Sequence, residues 1–419
     1  MSTDLSVVSP RFQLGFNDGT FALVGLAVFL VSFVVWSAHS PNVEKTDFSV
    51  TYVGAKLIHD GKARDLYDFH KQQEVRDSLF RKPSPLFFEH PPFEALILSP
   101  LAGLPYRTAY LMWGIFNAAL LWCSIIFLRP FLLWPKEHLA YTFLWALFAP
   151  LIVTLYQGQS SLVLFAIYAL TFWLLKSRRD FLAGLALGIG LFKFQFVIPF
   201  ALILFLLKRW RVSAGFVVSS LFLGVLSTIA VGWRGLYDYA RFIFTIASNP
   251  QNESYGSAVD MPTLHGLIYA VLGKNISHAA LSGVVVLVSL VLLAWVTWSW
   301  RLSDDTNFDV MFAAALTAAL VSGSHMFTHD FSPLILAMFL LGTKLSRFSV
   351  TQGARIRLMT WIVLGILWTF PLYFVLVAFH RLYLMCLVLL LLIYCSVRIA
   401  NILRTSNTGT IEVLPASNE

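Results

Sequence analysis

Charge is what this sequence has least of. Only 12% of its 419 residues are Asp, Glu, Lys or Arg, about half the share found in an average soluble domain. That shortage excludes a solvated surface over most of the chain. Cysteine is almost absent: Cys123, Cys386 and Cys395 stand inside apolar segments, without zinc or redox spacing, and read as small core hydrophobes. No glycine-rich phosphate loop follows a strand pattern, so chemistry driven by ATP has no cradle. A nucleotide-sugar site would need a soluble domain on the cytoplasmic side, and no polar stretch has that size. No inverted repeat and no charge buried mid-span is evident, which tells against a transporter or lipid flippase.

Apolar residues fill the space that charge leaves. They make up 58% of the chain and recur in runs near the ~20-residue length that crosses a bilayer as a helix. The class is therefore an all-α integral membrane protein. The net charge of +8 is spread over short connecting loops, which fits the positive-inside bias and not nucleic-acid binding. Thr20 to Ala38 is too long an apolar core for a cleaved signal and reads as a retained anchor.

Charge also orders the topology. Spans are expected near 20–38, 106–128, 140–156, 160–175, 181–193, 195–207, 212–231, 279–300, 309–322, 331–343, 358–378 and 382–399. The pair around Lys193 is a hairpin, and Thr263–Gly273 is a short apolar piece, interfacial or re-entrant, inside a polar stretch from Gly232 to Ser277. The basic short loops then face the cytoplasm. The domains are a cytoplasmic N-terminus (1–19), a polytopic membrane unit (20–400) and a cytoplasmic tail (401–419). A long extracytoplasmic loop, 39–105, follows the first span. About twelve spans result, in a cell (inner) membrane, with both termini inside.

The polar residues then fall on one side. Asp47, His90, Gln157, Gln159, Lys193, His265, His325, His329 and Asp330 all map to the outer boundary. Ionisable groups near membrane depth are costly and point to function. Within the long loop, Asp60, Asp65 and Asp68 read as turn and cap residues.

In this order the residues resemble glycosyltransferase family 87. The likeness runs through Thr46-Asp47-Phe48, Tyr52, Gly61 and Leu66-Tyr67-Asp68. It continues through His90-Pro91-Pro92, Ser99-Pro100-Leu101, Gly158-Gln159-Ser160 and Ala183–Gly188 with Lys193, and ends at His329-Asp330. The resemblance implies a bundle like that of the GT-C superfamily and a sugar taken from a polyprenyl-phosphate donor, mannose being the family's known donor type. It implies a metal-independent enzyme without a cofactor, whose partners are that donor, a lipid or glycan acceptor and membrane lipids. The family often has Tyr where this chain has His90, Asn at Ser160 and Pro at Gln195, departures that bear on the sugar and acceptor.

The chemistry asks for a base on the acceptor hydroxyl and a stabiliser for the leaving phosphate. Asp47, soonest after a span, is the candidate catalytic base of an inverting displacement; the alternative is a helix cap. Lys193 and His329 are candidates for the donor phosphate, Lys193 alternatively a snorkelling helix-end residue. His90, Gln159, His325 and Asp330 are candidates for substrate binding. His325 and His329, at i and i+4, would share a helix face with Asp330 and suit a metal, a reading set below the metal-free one.

Overall fold

A computed structural model describes residues 28, 30–81, 84–132, 148–248, 257–273, 275–346 and 353–409. Segment 1–19, the first parts of the expected spans 20–38 and 140–156 and the end of the tail lie outside these. Every regular element among the described residues is helical.

The first apolar helix, α1 (Leu30–His39), leads into the expected long loop, which is itself mostly folded. Its helices are α2 (Asp47–His59), α3 (Phe69–Leu79) and α4 (Pro92–Leu98). Asp68 caps α3, accepting from His70 N at 2.8 Å and Lys71 N at 3.1 Å, the structural role its position foretold. Then come α5 (Tyr106–Leu128), α6 (Ala149–Gln157), α7 (Ser161–Lys176), α8 (Asp180–Ile189), α9 (Phe194–Leu206) and α10 (Trp210–Ser248). The rest of the bundle is α11 (Leu264–Leu272), α12 (His278–Arg301), α13 (Phe308–Val321), α14 (Leu334–Ser346), α15 (Ala354–Trp368), α16 (Phe370–Ala378) and α17 (Met385–Gly409).

Among the described residues, five helical stretches are long and apolar enough to cross a bilayer. The number is six if α15 and α16, bent by 65°, form one span. This is fewer than the twelve expected from hydropathy, because several helices are shorter than a bilayer is thick. One long stretch, 180–206, is not a straight span. A straight 27-residue helix would hold its ends about 40 Å apart, yet Arg209 Nη1 lies 3.8 Å from Asp180 Oδ2. The chain therefore folds back at the 3-10 turn Gly190–Lys193, giving the expected hairpin with Lys193 at its tip. Gly184 and Gly215 let α8 and α10 touch backbone to backbone. A Cβ at Gly184 would fall 1.9 Å from Val212 O, and one at Gly215 2.1 Å from Phe181 O.

The two ends of the bundle differ in chemistry. At one end, ion pairs tie helix termini together: Lys176 to Asp309 at 2.8 Å and Arg178 to Asp305 at 2.7 Å. Arg404 donates to Leu302 O nearby, at 2.8 Å. The start of α2, the tip of the α8–α9 hairpin and the α13–α14 connection meet at the opposite end.

The expected polar stretch after Gly232 is partly helical. Gly232 takes φ 72°, a value open to glycine at little cost, and α10 resumes beyond it. Its second half packs Phe242 and Tyr239 onto the folded loop, with Phe69 and Phe242 stacked at 4.6 Å and the Tyr67 and Tyr239 rings tilted at 5.0 Å. Arg234, Asp238 and Arg241 interrupt this segment in sequence. Its apolar face is therefore faint in linear hydropathy and is defined by the loop that covers it.

Candidate active site

The site begins where α2 begins. Thr46 Oγ1 donates to Val43 O at 2.8 Å and lies 3.0 Å from Tyr106 Oη, fixing the entry into the helix. Asp47 is the first helical residue, and its carboxylate does not cap the helix. Its Oδ2 instead accepts from Gln159 Nε2 at 2.8 Å, while its backbone N–H donates to Gln157 Oε1 at 3.3 Å. The two glutamines can flank Asp47 because Gly158 turns the chain between them with φ +63°. A Cβ there would sit 2.6 Å from Phe48 Cβ, and Trp113 Nε1 donates to Gly158 O at 2.8 Å.

Gln159 links two charges. Its Nε2 serves Asp47, and its Oε1 accepts from Lys193 Nζ at 3.4 Å. Lys193, at the hairpin tip, is 5% exposed in its side chain and ion-paired with Asp330, which is 1% exposed. Asp330 also accepts from Ser161 Oγ at 2.8 Å and from Phe327 N at 3.1 Å. Burial pushes the Asp330 carboxyl up, but the His329 and Lys193 charges, with their hydrogen bonds, hold it well below the usual carboxylate range. It is a buried, ionised and satisfied group.

His329 stands between two carboxylates. Its Nε2 is 3.3 Å from Asp330 Oδ2 and its Nδ1 is 3.8 Å from Asp47 Oδ2. Its carbonyl accepts from Ser332 Oγ at 2.7 Å and Thr154 Oγ1 at 3.0 Å, so the backbone beneath the ring is held. The i, i+4 face expected for His325 and His329 does not form. Residues 325–327 are not helical, and the 3-10 turn begins only at Thr328 and runs to Phe331, so the two histidines do not stand on one helix. No group of three His, Cys, Asp or Glu side chains among the described residues could hold a metal ion. Burial pushes the His325 imidazole down to about 4, so this ring is neutral near pH 7.

These groups border one cavity of about 200 Å³, together with Glu89, His90 and Gln195. Every candidate site residue from the sequence lies on it: Asp47, His90, Gln159, Lys193, His325, His329 and Asp330. His265 is off its wall and contacts Ser324 O at 3.0 Å. The sequence reading missed Ser161, which carries no local signal. It also missed Glu94, whose signal was present as the i, i+4 spacing from His90 at the start of α4. His90 Nδ1 lies 2.6 Å from Glu94 Oε2, and Tyr67 Oη donates to His90 O at 2.8 Å. Burial raises the Glu89 carboxyl on the same wall. The arrangement offers a partly exposed carboxylate, a neutral imidazole and cationic donors around a space of small-molecule size, at the end of an apolar bundle.

Comparison with known proteins bears on what fills that space. The family model for glycosyltransferase family 87 matches residues 87–323, more than half of the chain. The match takes in His90, Gln159 and Lys193, and Asp47 and residues 325–330 lie beyond it. A relative from Mycolicibacterium smegmatis is 26% identical over 355 residues, 82% of this chain and 80% of its own length. That relative is a polyprenol-phosphate-mannose-dependent alpha-(1-2)-phosphatidylinositol pentamannoside mannosyltransferase. No solved structure matches the chain.

Proposed function

Because this chain belongs to glycosyltransferase family 87, we propose that it transfers mannose from a polyprenyl phosphate to a lipid or glycan acceptor at the extracytoplasmic face. The observation that carries this reading is the placement of Asp47. Its carboxylate, about one-fifth exposed at 21%, shares a single cavity with Lys193 and His329. The donor requirement in the relative's name supports mannose on a polyprenyl phosphate. The apolar helices around the cavity suit a donor whose tail stays in lipid. We read the bundle as GT-C-like, with the about twelve crossings that hydropathy along the sequence gives.

In the proposed reaction the acceptor hydroxyl attacks the sugar's anomeric carbon with inversion. Asp47 takes the hydroxyl proton, held toward the cavity by the Gln159 amide. The bond from that carbon to the phosphate oxygen breaks, and its electron pair leaves with the phosphate. Lys193 has three N–H donors; Asp330 and Gln159 engage two, and the third serves the phosphate. His329 lies beside it. Gln159 and neutral His325 bind sugar hydroxyls, and His90 contacts the donor from the same wall. Asp330 is too buried to touch substrate well, and its part is to hold Lys193 and His329 in place.

The decisive experiment uses purified protein in nanodiscs with labelled polyprenyl-phosphate-mannose and a lipid acceptor extract, wild type beside Asp47→Asn. Transfer by wild type, lost in a mutant of unchanged melting temperature, supports donor and base together. Full activity in Asp47→Asn overturns the assignment of the base. Absence of transfer by wild type from any polyprenyl-phosphate sugar overturns the donor class.

A further inference from the structure

The Lys193–Asp330 pair leaves the cavity short of positive charge. Asp330 cancels the Lys193 ammonium, and His329 lies between the Asp330 and Asp47 carboxylates. Burial leaves His325 neutral near pH 7. With the Lys193 and His329 groups matched by the Asp330 and Asp47 carboxylates, a surplus positive charge for a phosphodiester has to come from another cation on the wall. His90 lies on that wall, and its carboxylate partner does not: Glu94, 6% exposed, sits one helical turn along α4 and outside the cavity lining. The 2.6 Å contact from Glu94 Oε2 occupies His90 Nδ1, so Nε2 is the nitrogen left for a ligand. The ring is also braced by Phe88, stacked with its centroid 5.7 Å away.

Resting on the transferase reading above, we propose that Glu94 is a positioning residue that keeps His90 protonated and oriented, so that His90 Nε2–H binds the phosphate of the lipid donor. As the bond from the anomeric carbon to oxygen breaks, the electron pair stays on the phosphate and the acceptor's proton goes to Asp47. The charge that grows on the phosphate is met by the imidazolium, and no further proton needs to enter or leave. A carboxylate that fixes one ring nitrogen determines which proton the other presents.

The groups facing His90 set its titration. Glu94 and Glu89 come from its own segment, Lys193 from the hairpin tip, and His325 from the α13–α14 connection; Asp47, His329 and Asp330 are the other charged or titratable groups on the wall. Burial pushes the His90 imidazole down, but Glu94, by charge and hydrogen bond and helped by Glu89, outweighs burial and Lys193, leaving it above its ordinary value. The protonated form is thus present below that raised pKa and is lost as pH rises through it.

The test measures kcat/KM for transfer and binding of polyprenyl phosphate, from pH 5.5 to 9, in nanodiscs. It compares wild type, Glu94→Gln and His90→Gln, each with its melting temperature. Removing the Glu94 charge should move the high-pH fall in kcat/KM about one pH unit lower, with polyprenyl phosphate binding about tenfold weaker at pH 8. His90→Gln should abolish that fall and lower kcat/KM throughout. A merely structural Glu94 would lower activity without moving the profile. An unmoved high-pH limb in Glu94→Gln, or its persistence in His90→Gln, overturns the proposal; should Glu94→Gln fail to fold, His90→Gln alone decides. If wild type transfers no sugar but still binds polyprenyl phosphate with this pH dependence, the transferase reading fails and the phosphate site stands. Intact transfer with an unmoved limb in the variants refutes the phosphate site alone.

Discussion

Lys193 is buried on the carboxylate of Asp330, 137 residues further along the chain. The hairpin tip and the α13–α14 connection are joined through it, and the floor of the cavity rests on the pair. Exposure of 5% for the lysine side chain and 1% for the aspartate makes either group costly once its partner is removed.

Asp330→Asn is therefore expected to destabilise the protein by about 3–5 kcal/mol, the usual cost of leaving a buried charge unpaired. Thermal unfolding in detergent measures it. Combining Asp330→Asn with Lys193→Met should recover much of the loss, since the stranded ammonium is gone. A double variant no more stable than Asp330→Asn alone would mean the aspartate acts through other contacts, such as Ser161.

Asp47→Asn keeps an acceptor for Gln159 Nε2 and removes the proposed base. Turnover should fall by about 10²–10⁴, the usual contribution of a positioned base, while the melting temperature stays within a few degrees. A large loss of melting temperature would instead assign Asp47 a structural part.

Stability should depend on His325 in mildly acid solution. Its pKa in the folded protein, about 4, is below the ordinary value near ~6.5. The unfolded chain therefore binds the proton first as pH falls. The stability tied to neutral His325 is fully present above the ordinary value and is lost between there and about 4. Asp330, whose pKa is also depressed, adds a loss at pH below the usual carboxylate range. Melting temperatures from pH 8 to 4.5 should decline less steeply for His325→Gln than for wild type. Parallel curves would remove His325 as the source.

Gly158 joins backbone geometry to the site. An alanine there would take a left-handed conformation costing roughly 1–2 kcal/mol, and its methyl would meet Phe48 Cβ at 2.6 Å. Gly158→Ala should lose about 2–4 kcal/mol of stability, strain and overpacking together. It should also impair turnover, because Gln159 would move off Asp47. Denaturant unfolding and transfer rate would be read on the same preparation. Unchanged values of both would show that the α6–α7 turn relaxes freely.

Much of the site was legible one segment at a time. Asp47, Gln159, Lys193 and His329 each stand where an apolar run stops, and polar groups there are conspicuous because lipid-facing helix tolerates few of them. Glu94 was visible only as a spacing. Nothing in the sequence says that an i, i+4 carboxylate near a histidine is buried behind a cavity and not in solvent. The helix after Gly232 was hidden for the opposite reason: its charged residues lie on one face, and hydropathy averages over faces.

The sequence by itself determined the solvent. Scarce charge and long apolar runs put helices in lipid, and basic residues gathered at their ends give the bundle two chemically different ends. These are properties of single segments, so they survive without knowing which segment touches which. Tertiary structure alone decided the pairings: Lys193 cancelled by Asp330, Asp47 held by Gln159, His90 backed by Glu94. Whether a lysine presents a free charge or a neutralised one depends on a carboxylate 137 residues away. Coulomb attraction and desolvation both turn on ångström distances, which only the packed helices fix.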